Sequence, residues 1–358
     1  MLLFVIKRLG VMVLTALALT FVVFYLTNLP PNLEKLARTE GSVRMSDDAV
    51  AQWILDNGHG GSVFGRYAQW LGVAPGWALT DEKGVLRGRC VENGLQMATY
   101  CGVMQGNWGF STVFKKPVWD SVTEKLGQTA YLMGAVMLVM VPTSLLIGVL
   151  SGMREGSKTD RVLSFFSIAT TATPEYVSGV VLVAIFASAT TGLSPLLAEW
   201  GWIDGRTLFL GTATSAMDDI TFWNFTLPVM TIAIYGIGYI ARMTRASMAE
   251  VMTAQYIRTA RLKGASFRSV VLKHALRNAL IAPFTVIMLQ FPWLLNGVVI
   301  VETLFNYKGF GWTLVQAAGN NDIDLLLGCA VVAVFVVLVT QLISDIGYVF
   351  LNPRIRLA

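Results

Sequence analysis

Six stretches of the chain are largely apolar, and each is long enough to cross a hydrocarbon layer roughly 30 Å thick. They cover residues 9–29, 126–153, 162–189, 220–240, 279–301 and 325–344. A helix satisfies its own backbone in lipid, so the pattern predicts an all-α polytopic membrane protein with six transmembrane helices. The third stretch is interrupted at Thr173, Pro174 and Glu175. It is read as one span, because neither half is long enough alone. Pro142 in the second stretch, and Pro283 and Pro292 in the fifth, predict bends, since proline removes a backbone bond. Gly236 and Gly238 in the fourth predict a close approach by another helix.

Charge placement orients these spans. Lys7 and Arg8 precede the first, Arg154, Lys158 and Arg161 follow the second, and Arg354 and Arg356 follow the last. Between the fourth and fifth, residues 241–282 carry Arg242, Arg245, Arg258, Arg261, Lys263, Arg268, Lys273 and Arg277 against one acid, Glu250. Cytoplasmic loops hold such an excess, so both termini and this loop are expected inside. The alternate loops are acid-rich, with Asp218, Asp219, Glu302, Asp322 and Asp324. Because the bases lie in membrane-flanking loops, the net charge of +5 does not point to nucleic acid.

The basic start and apolar run of 1–29 could be a secretory signal, but the following Asn28–Leu29–Pro30–Pro31 offers no small-residue cleavage site. An uncleaved first span is expected. Residues 30–125 form a polar segment with balanced charge, and long loops cross membranes largely regardless of charge. It holds Cys90 and Cys101. On an oxidising side these would form a disulfide, the favoured reading; a shared metal is the rival, with His59 remote in sequence.

The basic loop itself is helical in pattern. Met248, Val251, Met252, Gln255, Tyr256 and Thr259/Ala260 recur at steps of three and four. Gly264 is a candidate stop and Ser266 a candidate cap for a second helix. A short helix ending at a glycine suits docking. A solvated basic linker or a lipid-headgroup patch fits the spacing equally well.

The run Arg258–Thr259–Ala260–Arg261–Leu262–Lys263–Gly264, followed by Lys273–His274–Ala275–Leu276–Arg277–Asn278–Ala279–Leu280, resembles the cytoplasmic loop of ABC-transporter permeases. The branch it resembles imports dipeptides, oligopeptides or nickel. Further matches are Gly106–Asn107–Trp108–Gly109–Phe110–Ser111 and Val301–Glu302–Thr303. Asn321–Asp322–Ile323–Asp324 departs from the family's aspartate–tyrosine–proline. The resemblance implies a type I importer permease with a first span at 1–29, a periplasmic segment at 30–125 and a core at 126–358. An insertion near 72–105 lies between helices 1 and 2.

By the same resemblance, Glu250, Tyr256, Arg258, Thr259, Ala260, Arg261 and Gly264 couple to ATPases. The implied partners are a second homologous permease, two ABC ATPase subunits binding ATP and magnesium, and a periplasmic solute-binding protein. This chain would bind no cofactor itself and would reside in a bacterial inner membrane. It has no Walker-type phosphate loop, His-Glu-x-x-His or Gly-x-Ser-x-Gly run, so no catalytic constellation is expected. Thr173, Pro174 and Glu175 are candidate path or gate residues, since an ionisable group at membrane depth is costly; a packing role is the alternative. Nickel or another small solute is the alternative cargo. An ion-gradient-driven secondary transporter is the alternative mechanism.

Overall fold

The computed structural model describes residues 2–80, 85–92 and 95–351; the basic tail at Arg354 and Arg356 lies outside them. The chain divides into two compact units. One comprises Leu2–Lys125 with Thr313–Phe335, the other Leu126–Trp312 with the residues from Val336 onward.

In the first unit, α1 (Leu2–Thr27) is followed by α2 (Pro30–Glu40), α3 (Asp47–Asp56) and α4 (Val63–Leu71). Ser46 and Ser62 cap α3 and α4, accepting from Ala49 N at 3.3 Å and Gly65 N at 3.1 Å. Phe24 of α1 packs on Tyr67 and Trp70 of α4, with Leu33, Leu36, Ile323 and Leu327 completing the cluster. The polar segment is therefore a folded body built on the end of α1. Beyond α4 the described residues form three antiparallel ribbons. These are β1 (Ala78–Thr80) with β2 (Leu86–Gly88), β3 (Val91–Glu92) with β4 (Leu95–Gln96), and β5 (Phe110–Ser111) with β6 (Lys116–Pro117).

Cys90 and Cys101 form a disulfide with their Cα atoms 5.7 Å apart, as their sequence placement led us to expect. They lie 11 residues apart, and closing such a loop stabilises the local fold by about 3 kcal/mol in the chain-entropy account. Cys101→Ser is expected to make the ribbon region markedly more sensitive to protease while the remaining helices still insert. Non-reducing peptide maps of exported protein should show the bridged pair; two free thiols there would contradict the assignment.

Next along the chain come α5 (Val118–Gly152), which begins in the first unit and enters the second at Leu126, then α6 (Lys158–Ala172), α7 (Glu175–Phe186), α8 (Leu193–Glu199) and α9 (Phe222–Met252). Then come α10 (Gln255–Leu262), α11 (Phe267–Ser269), a π-helical turn (Val270–Ala275) and α12 (Leu276–Ala279). The chain closes with α13 (Ile281–Leu304), α14 (Phe310–Gly319) and α15 (Ile323–Leu351).

Among the described residues α1, α5, α9 and α15 are each long and apolar enough to cross a membrane, and six spans result if two bent pairs count as one each. The third apolar stretch is one of those pairs: α6 and α7 meet at 108°. Thr173 is extended (φ −98°, ψ 119°) because the following proline disfavours helical backbone before it. The second bend, 48°, lies at Leu280 rather than at the prolines of the fifth stretch. Pro283 sits in the first turn of α13, where its missing N–H has no helical partner to lose. The helix also runs unbroken through Pro292, and α5 through Pro142.

The core of this unit surrounds α9. Ile232 and Ile240 are fully buried, against Leu132, Val136 and Met140 of α5 and Val298 and Val301 of α13. The close approach expected at the two glycines is present. A Cβ on Gly236 would strike the Met140 side chain, and one on Gly238 the Ser167 carbonyl and Thr170 side chain.

Candidate coupling site

The basic loop is broken where the sequence pattern runs on as one helix. The Thr253 hydroxyl donates to the Glu250 carbonyl at 2.7 Å, competing with the helical ladder, and Ala254 is extended (φ −63°, ψ 148°). That break resets the helical phase. The buried face of α10 is Ile257 (0% exposed) and Ala260 (8%), packed on Met248, Val270, Val271, Ala275 and Ala279. Gln255, Tyr256 and Thr259, which the unbroken stripe would bury, are exposed instead.

The predicted coupling residues thus separate. Glu250, Tyr256, Arg258, Thr259, Arg261 and Gly264 are exposed, while Ala260 lies beneath them as packing. Leu262, which sequence reasoning passed over, is 81% exposed beside them. Tyr256 also braces this packing, since its hydroxyl accepts from Asn278 Nδ2 of α12 at 2.9 Å.

Gly264 ends α10 with φ +79°. Its N–H donates to the Arg261 carbonyl at 3.0 Å and the Ala265 N–H to the Ala260 carbonyl at 3.2 Å, the paired bonds of a Schellman end. Ser266 then caps the next helix, its hydroxyl accepting from Ser269 N at 3.4 Å. The stop and the cap both stand where local sequence placed them.

Beneath this surface lies an ion pair that sequence reading did not find. Asp160, with a side chain 3% exposed, receives Arg245 Nε at 2.6 Å and its terminal nitrogen at 2.8 Å. It also accepts from the hydroxyls of Ser151 at 2.6 Å and Ser164 at 3.1 Å, and from Gly156 N at 2.8 Å. One carboxylate thereby joins α5, α6 and α9, two turns before α9 ends. The pair spans 85 residues of sequence. Its one local trace is Ser157, which caps α6 by accepting from Asp160 N at 3.1 Å.

Thr173, Pro174 and Glu175 stand elsewhere, at the α6–α7 bend. Glu175 is the first residue of α7 and half-buried, and the Thr173 hydroxyl bonds back to the Ala169 carbonyl at 2.9 Å. Glu302, counted from sequence among the outer-loop acids, is fully buried. It accepts from Trp312 N at 2.9 Å and from the Thr129 hydroxyl, bracing the turn from α13 into α14.

Residues 144–357, which contain both bent pairs, α10 and the Asp160–Arg245 pair, match the family model of binding-protein-dependent transport system inner membrane components. The chain belongs to this family. The permease is 30% identical to a di/tripeptide transport system permease protein of Pseudomonas aeruginosa over 99% of each chain. It is 33% identical to a probable peptide ABC transporter permease protein of Sinorhizobium fredii, over 71% of this chain and 77% of the other. It is 32% identical to an oligopeptide transport system permease protein of Bacillus subtilis, over the same shares. The permease is accordingly a multi-pass protein of the inner membrane and a transport subunit.

Proposed function

We propose that this permease is the membrane subunit of an ATP-driven importer of short peptides. The observation that carries the reading is similarity to a di/tripeptide permease over essentially the whole length of both chains. The permease pairs with a second, homologous permease to form the translocation path. Two ABC ATPases, holding ATP and magnesium, seat against α10 on the cytoplasmic side, and a solute-binding protein delivers cargo to the opposite face. Both termini are cytoplasmic, the chain crosses six times, and residues 30–125 lie outside.

The geometry of α10 supports this division of labour. Tyr256, Arg258, Thr259, Arg261 and Leu262 offer a mixed apolar and basic surface, and Ile257 and Ala260 fix it to a packed base. A push on α10 therefore moves its base and, through Arg245 and Asp160, the helices α5 and α6 as well. Switching between two discrete arrangements requires such stiff transmission. The α6–α7 bend, with Thr173, Pro174 and Glu175, is the candidate gate along the path.

Liposomes carrying the assembled complex, with ATP at the ATPase face and binding protein at the other, test the reading. Radiolabelled alanyl-alanine is expected to accumulate only with hydrolysable ATP. Accumulation of nickel in place of peptide, or uptake driven by an ion gradient without ATP, would overturn it.

A further inference from the structure

The first unit contains two adjoining cavities that the coupling scheme does not use. One, of about 60 Å³, is bounded by Arg66, Arg89, Trp70, His59 and Asp324 among others. The second, of about 210 Å³, is bounded by Glu40, Asp322, Asp324 and Thr112. Asn57, His59, Ile323 and Asp324 line both, so the two hollows share a wall.

The smaller cavity is rich in donors. Arg66 gives one terminal nitrogen to Asn28 Oδ1 at 3.0 Å, and Arg89 reaches the Asn107 carbonyl at 3.4 Å. The Nε of both arginines is buried without a hydrogen-bond partner among the described residues. So is the indole Nε1 of Trp70, a residue only 2% exposed. Buried donors are almost always partnered, and all three of these residues line the small hollow.

Charge separates along the pair of cavities. Burial, with the Arg66 charge second, pushes His59 down to about 4, so it is neutral at pH 7. Two guanidinium groups then face one acid, Asp324, leaving the small cavity net positive. The larger one is lined by Glu40, Asp322 and Asp324 with no lysine or arginine. Burial, then Asp324 and Asp322, hold the Glu40 carboxyl above its ordinary value, as acids lacking a nearby cation behave. Asp322 is well supplied, accepting from Ser111 Oγ at 2.7 Å and Val113 N at 3.1 Å. Asp324 accepts a long bond from Phe110 N, at 3.4 Å, and interacts with the Arg89 charge. It also belongs to the stretch that departs from the aspartate–tyrosine–proline pattern.

We propose that the two cavities form one binding site for a small zwitterion, an amino acid or dipeptide. Its carboxylate lies against Arg66 and Arg89, and its ammonium group against Asp324 and Glu40. Guanidinium groups suit the planar carboxylate, and the acid-lined end suits a compact cation. The assignment deepens the peptide-import reading and rests on it for choosing a peptide as first probe.

Equilibrium dialysis of radiolabelled alanyl-alanine against the full chain in lipid nanodiscs tests it. Saturable binding is expected, and Arg89→Gln and Asp324→Asn should each weaken it at least tenfold, with the Cys90–Cys101 bridge intact as the check on folding. Acetate, and alanyl-alanine acetylated at one end and amidated at the other, should compete poorly. Competition by free alanine as strong as by dipeptide assigns the site to amino acids, and weak competition assigns it to dipeptides. Equal competition by acetate, binding that both variants leave unchanged, or no saturable binding overturns the proposal. Its failure leaves the import reading standing if reconstituted complexes still accumulate peptide; loss of that uptake with binding retained removes the import reading alone.

Discussion

Arg245→Ala is expected to destabilise the permease by about 3 kcal/mol, toward the lower end for a broken buried pair because Arg245 itself is 29% exposed. The substitution leaves the Asp160 carboxylate, 3% exposed, with only two hydroxyls and one N–H in place of a bidentate guanidinium. An unpaired charge held from water is the costly outcome, more than the lost attraction itself. Arg245→Lys should fall between the two, since an ammonium cannot span both carboxylate oxygens as the guanidinium does. Asp160→Asn keeps an acceptor for Ser151 and removes the buried charge, so it should cost less than Arg245→Ala. Unfolding midpoints in detergent give the order directly. An Arg245→Ala protein as resistant as the parent would remove the anchor beneath α10 from the account.

Gly264→Val should cost about 1–3 kcal/mol, the usual penalty for a side chain held in the left-handed region, and more at the upper end because valine is β-branched. At φ +79° a Cβ meets no atom within 4 Å among the described residues beyond its chain neighbours, so the strain is in the backbone alone. Relief of that strain would unwind the last turn of α10 and turn Arg261 and Leu262 away from their present surface. The expected phenotype is a permease that inserts normally, with ATPases that detach or hydrolyse ATP without moving peptide. Gly264→Asn, which tolerates the left-handed region better, should retain most transport. Full, ATP-coupled uptake by Gly264→Val would show that the end of α10 does not transmit force.

Features set by neighbours in sequence were readable, and those set by distant partners were not. Gly264 and Ser266 announced a helix end and a helix start, because both depend on bonds within a few residues. The phase of α10 was misread, since one hydroxyl bond at Thr253 and one extended residue at Ala254 rotate everything after them. Pro174 disrupts its helix, whereas Pro283 does not. The difference is position, one at a junction and the other in a first turn that has no bond to lose. The Asp160–Arg245 pair joins two clusters of loop charge that the sequence shows only as separate counts. The segment 30–125 read as polar loop because its own apolar residues, among them Leu33, Leu36 and Trp70, are completed into a cluster by Phe24 before it and Ile323 and Leu327 far after it.

Those last contacts set an order of events during synthesis. Asp322 bonds to Ser111 across 211 residues, and Ile323 and Leu327 close the cluster around Trp70. The amino-terminal body therefore emerges early and is finished late. At the usual pace of translation, several to twenty residues per second, the interval is on the order of ten to forty seconds. For that time the Cys90–Cys101 bridge can already hold the ribbons, while the part of the cluster that Ile323 and Leu327 complete stays open. Proteases and chaperones facing the first half of this protein meet a different substrate before and after residue 327 has been made.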